Sequence, residues 1–200
     1  MGKVADKQTP HIASSIQIGD KGRYVKSTTE LRELVKALRT IGARIVLTQG
    51  TFDFIHIGHF LYLEQAKAHG DVLIVGVDSD KKVQARKGPD RPIVKQDERI
   101  AMLAHVRHVD IVTLKSEKAP KWALIKLIRP DVLIATKATY KPAQVKQLKQ
   151  FCKEVVILEP QATTSTSAKM RRMNIGMSEK MKKAITQSIN ETFESFMRDA

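Results

Sequence analysis

The sequence predicts an α/β domain, a doubly wound parallel sheet with helices on both faces. Three observations predict it. Short apolar runs alternate with helical patterns from Arg44 to Leu158. The stretches between successive runs are long enough for the crossover helices that parallel strands require. One strand-to-helix turn, Gly50–His59, concentrates histidine and glycine where such sheets bind ligands, at the carboxyl ends of their strands.

The elements follow in order. Residues 1–26 mix Gly, Ser, Thr and charge with little periodicity and read as a flexible or loosely docked leader. Ser27-Thr28-Thr29-Glu30 has capping-box spacing, and Leu31, Leu34, Val35 and Leu38 mark one helical face that ends near Gly42. Strands are predicted over Arg44–Gln49, Val72–Val77, Val109–Leu114, Val132–Ala135 and Val155–Leu158. Helices are predicted over Gly58–His69, Asp80–Arg86, Gln96–His105, Lys121–Ile128 and Pro142–Cys152. Pro130 stops the fourth of these and Pro142 opens the fifth. The domain spans 27–175. Residues 176–200 form an amphipathic helix with Met181, Ile185, Ile189, Phe193 and Phe196 on one stripe, a packing or dimer contact.

Composition limits the function classes. With 200 residues, 42% hydrophobic and 28% charged, the chain holds one core and terminal additions. No apolar run reaches the roughly 18 residues of a membrane span, and Met1–Pro10 has no signal-peptide core. Cys152 is the single cysteine, which excludes an internal disulfide framework and fits a reducing, cytoplasmic location. The net charge is +14, and Lys81–Arg172 alone holds 21 basic and 8 acidic residues. That excess fits a basic cleft for phosphorylated ligands, a nucleic-acid surface or a plain lysine-rich exterior. Aromatic residues make up 5% of the chain, too few for a stacking platform, so nucleic acid is disfavoured.

The Gly50–His59 turn carries the chemistry. A helix start offers unpaired N–H groups and partial positive charge, which suits phosphate. His56 and His59, three residues apart, add imidazole donors beside Gly58. Any one of these residues alone is an ordinary turn residue; the set, in strand–turn–helix context, points to the α-phosphate of a nucleotide. A metal hydrolase built on the two histidines lacks a third ligand nearby.

Gly50-Thr51-Phe52-Asp53-Phe54-Ile55-His56-Ile57-Gly58-His59 resembles the first signature of the cytidylyltransferase-like nucleotidylyltransferases. Thr164-Ser165-Thr166-Ser167, before a basic segment, resembles their second signature, and Arg86–Ile93 with Glu98-Arg99 also fits. The resemblance covers roughly residues 44–173 and implies a Rossmann-like, five-stranded parallel sheet. It implies transfer of a nucleotidyl group from an NTP, ATP favoured, to a phosphorylated small molecule such as a sugar phosphate, with pyrophosphate released. It further implies Mg²⁺ as helper and a homodimer, with no membrane partner. Leu124–Leu133 and Tyr140-Lys141-Pro142 resemble the heptose 1-phosphate adenylyltransferase domain. There Lys-Gly-Gly-Asp usually precedes the Tyr; here Thr136-Lys137-Ala138-Thr139 does. Lys87-Gly88-Pro89, Pro92-Ile93 and Glu98-Arg99 also resemble the CTP-dependent enzymes of glycerol-3-phosphate and ethanolamine phosphate. A non-catalytic nucleotide or nucleic-acid-binding module is the alternative of a different class.

The resemblance assigns roles residue by residue. His56 and His59 hold nucleotide phosphates, and Lys87 is a mobile cation on the substrate or α-phosphate. Gly50, Thr51, Phe52 and Gly58 shape the turn. Thr164, Ser165, Thr166 and Ser167 bind the outer phosphates. Asp53 orients a histidine or helps hold Mg²⁺. Arg99 contacts phosphate or, alternatively, makes a structural ion pair. Asp78 and Asp80 cap the following helix.

Overall fold

The computed structural model describes residues 22–136, 139–159, 180–189 and 191. Two compact units are separated by contact, Met1–Gln161 and Ala162–Ala200. In the first, five parallel strands lie in the order β3-β2-β1-β4-β5. They are β1 (Ile45–Gly50), β2 (Val72–Asp78), β3 (Ile111–Lys115), β4 (Val132–Ala135) and β5 (Glu154–Ile157). Among the described residues six helices connect or flank them: α1 (Thr28–Thr40), α2 (Ile57–Lys67), α3 (Asp80–Lys87), α4 (Gln96–Ala104), α5 (Ala123–Ile128) and α6 (Pro142–Leu148). The chain builds outward from β1 to β3, then returns across β1 to β4. The switch point therefore lies between the carboxyl ends of β1 and β4, at Gly50 and Ala135.

Alternation along the strands divides the core. Val46, Leu73, Val75, Val77, Val132 and Ile134 share one cluster with α2 and α4 residues Leu63, Ala66, Ile100 and Leu103. Ile45, Leu47, Ile74 and Leu133 share the other with α1, α5 and α6 residues Leu31, Val35, Ile125, Ile128 and Leu148. Period two sends neighbouring residues to opposite faces, so a one-residue slip in β1 would exchange the two sets. Both faces are covered, as a parallel sheet requires.

Several boundaries differ from the sequence reading. The expected leader, 1–26, ends too late: Val25 N–H donates to Val112 O at 2.9 Å and Val112 N–H to Arg23 O at 2.8 Å, beside a parallel bridge from Tyr24 to Val112. Val25 is 2% exposed. Residues 23–25 thus cover the outer edge of β3. The helix expected from Lys121 begins at Ala123, because Trp122 is left-handed at φ 61°. The helix expected through Cys152 stops at Leu148 and continues as turns. Asp78 and Asp80 do not cap α3; Ser79 does, its Oγ accepting from Lys82 N–H at 3.2 Å. Ser27 caps α1 as expected, accepting from Thr29 N–H at 3.2 Å.

Gly70, between α2 and β2, passes close to β1. A Cβ there would meet the Arg44 carbonyl oxygen at 2.6 Å and Val46 Cγ2 at 2.7 Å. Backbone cannot yield as a side-chain tip can. Gly70→Ala is therefore expected to destabilise the first unit by about 1–3 kcal/mol. Thermal unfolding should register a Tm fall of roughly 2–10 °C, and an unchanged Tm would contradict the close approach.

Candidate active site

The site is built at the carboxyl end of β1. After Gly50 the chain turns sharply, with Phe52 at φ 53° and Phe54 at φ 56°. Bulky residues rarely adopt this conformation, so the surroundings must hold it. Two side chains do so. Arg99, on α4, is 0% exposed. It donates to Thr51 O at 2.5 Å, to Val94 O at 2.9 Å and to Asp80 Oδ1 at 2.7 Å. Asp53, buried in the turn, accepts from Ile93 N–H at 3.1 Å, Val94 N–H at 3.0 Å and Arg91 Nη1 at 3.0 Å. Burial by itself would raise the Asp53 carboxyl; the Val94 and Ile93 N–H groups and Arg91 outweigh it and hold the group below its ordinary value.

These contacts bear on two sequence assignments. Of the two readings of Arg99 they support the structural ion pair: its Nη2 bonds Asp80, while its Nε and Nη1 donate to the carbonyls of Val94 and Thr51. Asp53 is turned to the 91–94 segment, where its carboxylate takes backbone and guanidinium donors. Both position the turn.

The histidines open α2. His56 is its N-cap, and its Nδ1 accepts from Gly58 N–H at 3.1 Å. His59 answers: its Nδ1 accepts from His56 N–H at 3.3 Å. This is a capping box made of two imidazoles. The rings lie 4.2 Å apart between centroids, and the Phe52 ring is 5.7 Å from that of His59. A nitrogen that accepts from a backbone N–H carries no proton. Each neutral ring therefore bears its proton on Nε2, and hydrogen-bond logic assigns both as Nε2–H donors. The spacing of three is the spacing of N-cap to N3, so one geometry serves the helix and orients the donors. Gly58 is buried one residue before His59.

Cations border the turn. Arg86 Nη2 donates to Thr51 Oγ1 at 2.7 Å and to Asp78 Oδ2 at 3.0 Å. Lys115 Nζ pairs with Asp78 Oδ1 at 2.9 Å. Burial pushes the Lys115 ammonium down, against the pull of Asp78. Lys87 ends α3, exposed. Partial desolvation and the Arg86 guanidinium push its pKa below the ordinary lysine value, with Asp53 opposing. Lys87 is thus brought into the field of the turn.

The crevice toward β4 has its own polar groups, which sequence reading did not assign. Tyr62 O–H and Thr48 Oγ1 are 2.6 Å apart, and Gln49 Nε2 donates to Tyr140 Oη at 3.3 Å. Burial, then the charges of Tyr62 and Asp78, push Tyr140 up to about 12, so it stays a neutral phenol. Arg86 and Arg91 also went without a role. Their partners in the turn, Thr51 and Asp53, lie 35 and 38 residues away in the chain, beyond any local pattern. Thr164, Ser165, Thr166 and Ser167 lie outside the described residues.

Among the described residues no group of three or more His, Cys, Asp or Glu converges on a metal position. Asp53, Asp78 and Asp80 are engaged with Arg91, with Arg86 and Lys115, and with Arg99. These side chains do not form a metal cage. No helix among the described residues is long and apolar enough to cross a membrane.

The chain has recognisable relatives. The Cytidylyltransferase-like family model matches residues 47–193. Curated relatives named Bifunctional protein HldE include one from a Nitratiruptor species, 40% identical over 80% of this chain and 34% of its own length. Another, from Wolinella succinogenes, is 36% identical over 86% of this chain and 37% of its own length. The chain spans only about a third of those relatives. A solved lipopolysaccharide core biosynthesis protein from Thermoplasma volcanium is 25% identical, covers 62% of this chain and all of its own, and superposes with a TM-score of 0.51. A pantoate-beta-alanine ligase from Francisella tularensis, at 18% identity and a TM-score of 0.54, covers 72% of this chain and 68% of its own and shares the fold. On the family match over most of its length, the chain belongs to the Cytidylyltransferase-like family.

Proposed function

We propose that this domain transfers a nucleoside monophosphate, AMP from ATP in the favoured case, to a phosphorylated small molecule such as a sugar phosphate. The observation that carries the proposal is the paired-imidazole cap at the start of α2. It presents two Nε2–H donors at a helix N-terminus, on the strand end nearest the switch point. The adenylyl branch and the sugar phosphate draw support from the likeness of Leu124–Leu133 and Tyr140-Lys141-Pro142 to heptose 1-phosphate adenylyltransferases. The Thermoplasma volcanium protein, titled for lipopolysaccharide core biosynthesis, points the same way.

An acceptor phosphate oxygen attacks the α-phosphorus of the triphosphate, forming a P–O–P bond. The bond from the α-phosphorus to its bridging oxygen breaks, and pyrophosphate leaves with the electron pair. The nucleophile is already an anion, so no strong general base is required. Positioning and charge neutralisation supply the rate. His56 and His59 hold phosphate oxygens through Nε2–H, and the N–H groups at the start of α2 add their partial charge. Lys87 neutralises charge from the α3 side, and Gly50, Thr51, Phe52 and Gly58 form the turn that lets phosphate approach. By the resemblance alone, Thr164, Ser165, Thr166 and Ser167 would add outer phosphate contacts. Asp53 and Arg99 position this turn. Mg²⁺, held by the oxygens of the triphosphate, would supply further neutralisation of phosphate charge. A homodimer is part of the same reading.

The test is pyrophosphate release, crossing ATP and CTP with sugar, polyol and amino-alcohol phosphates. Dependence on ATP and a sugar phosphate is expected. Dependence on CTP with glycerol-3-phosphate or an amino-alcohol phosphate would move the domain to the other branch. Nucleotide binding with no release across the panel would favour a binding module.

His56→Asn separates helix from chemistry. Asparagine caps as well as any residue but lacks the Nε2–H donor. Tm should hold within a few degrees while kcat/KM falls about 100-fold or more, the loss typical of one transition-state donor. Full turnover in the folded variant would sink the phosphate role.

Lys87 gives a pH test. Its ammonium is the active form, and its pKa is depressed. Activity is therefore complete at lower pH and is lost as pH rises through a value below the ordinary lysine range. Lys87→Arg should move that alkaline limb upward. A limb unmoved by the substitution would assign the titration elsewhere.

A further inference from the structure

Most of the Arg86 guanidinium is uncommitted. Nη2 alone meets both of its acceptors, Thr51 Oγ1 at 2.7 Å and Asp78 Oδ2 at 3.0 Å. Among the described residues its Nε and Nη1 make no hydrogen bond. The Arg86 side chain is 56% exposed, whereas that of Asp78 is 1% exposed. A buried acid thus grips one corner of a planar donor group whose remainder is open to solvent. A guanidinium held in this way is already ordered for a second partner, so binding costs less entropy.

Charge describes that partner. Asp78 needs one counter-charge and has two, Arg86 and Lys115. Lys87 adds a third cation; burial first, and then the field of Arg86, depress its ammonium. The acids Asp53 and Asp80 are balanced by Arg91 and Arg99. Arg86, Lys87 and Lys115 set against Asp78 therefore leave a surplus of two positive charges. A phosphate monoester carries about −1.5 to −2 at neutral pH.

Position separates this anion from the triphosphate. The imidazole pair follows β1, at the switch toward β4. Asp78 ends β2 and Lys115 ends β3, both on the other side of β1. In-line displacement sets the attacking oxygen opposite the leaving one. Two anions therefore meet at the α-phosphorus, and each needs cations of its own. We propose, on the basis of the transfer reaction above, that Arg86, braced by Asp78, binds the phosphate of the acceptor as a monoester dianion. The same side of the sheet also offers polar groups to the rest of that molecule. A Cβ on Gly76 would lie 3.0 Å from Lys115 Cδ and 3.2 Å from Gln49 Cγ, so these two side chains converge there. Gln49 in turn bonds Tyr140 Oη. A hydroxylated body beyond the phosphate meets an amide and a phenol, both able to donate and accept.

The test is equilibrium titration of the full chain, saturated with α,β-methylene-ATP, with glucose 1-phosphate and with orthophosphate. Arg86→Gln should weaken both phosphates about 10- to 100-fold, the loss typical of a hydrogen bond to a charged group, with affinity for the analogue unchanged. Arg86→Lys keeps the charge without the fork and should recover part of the loss. Asp78 keeps Lys115 in both variants, and Tm reports that the fold holds. Equal weakening of analogue and phosphates would assign Arg86 to the triphosphate and overturn the proposal. Phosphate binding untouched by either substitution, or a parent that binds neither phosphate beside the analogue, would also overturn it and leave Arg86 as a brace of the turn. Pyrophosphate release separates this inference from the reaction beneath it. A parent that transfers to a sugar phosphate, with the acceptor KM unmoved in Arg86→Gln, would sink the inference alone. Phosphate bound through Arg86 with no pyrophosphate released would support the anion site and sink the transfer.

Discussion

A buried guanidinium fixes the geometry on which the site depends. Arg99 has no solvent to satisfy it, so each donor needs a protein acceptor. The carbonyls of Thr51 and Val94 and the carboxylate of Asp80 provide them. Those acceptors belong to three separate segments: the turn after β1, the loop before α4, and the first turn of α3. Asp53 reaches the opposite way, from the turn to the backbone of Ile93 and Val94. The turn and the loop are thus laced in both directions. This lacing lets Phe52 and Phe54 occupy a backbone region that bulky side chains avoid.

The second layer is electrostatic. Asp78 is buried between Arg86 and Lys115, and Arg86 bonds Thr51 at the same time. The acid anchors two cations, one of which steadies the turn. Burial is the main cause that depresses the ammonium groups of Lys87 and Lys115, and neighbouring cations crowd them further, Arg86 at Lys87 and Lys82 and Arg86 at Lys115. An arriving polyphosphate would relieve that crowding, which gives the positive excess in the sequence a local use.

The sheet was legible because buried parallel strands announce themselves as apolar runs and their helices by period and caps. Ser27, Gly42 and Pro142 stand where the sequence reading put them, at helix ends. Trp122 and Arg129 did not announce their left-handed backbone, a conformation more often filled by glycine or asparagine. Residues 23–25 show no periodicity because three residues added to an edge are too short to display one, although Val25 is buried in the core. The site was legible as a place: the His-x-Gly-His spacing located the helix start. The direction of Arg99 was not, since Thr51 lies 48 residues away and only the folded chain brings it near. Nor does a motif reveal that each histidine spends one ring nitrogen on the first turn of α2.

That last arrangement bears on how such a protein can change. The atoms that hold the first turn of α2 and the atoms that would meet the ligand belong to the same two rings. A replacement at His59 disturbs the support of its neighbour's backbone as well as the chemistry, so drift at either position meets two filters at once. Novelty in the molecule handled is more easily reached from elsewhere. Gln49 at the end of β1, and Thr136, Thr139 and Tyr140 after β4, carry no such double duty. Diversification of this scaffold would run through those residues, with the histidine pair inherited as a unit.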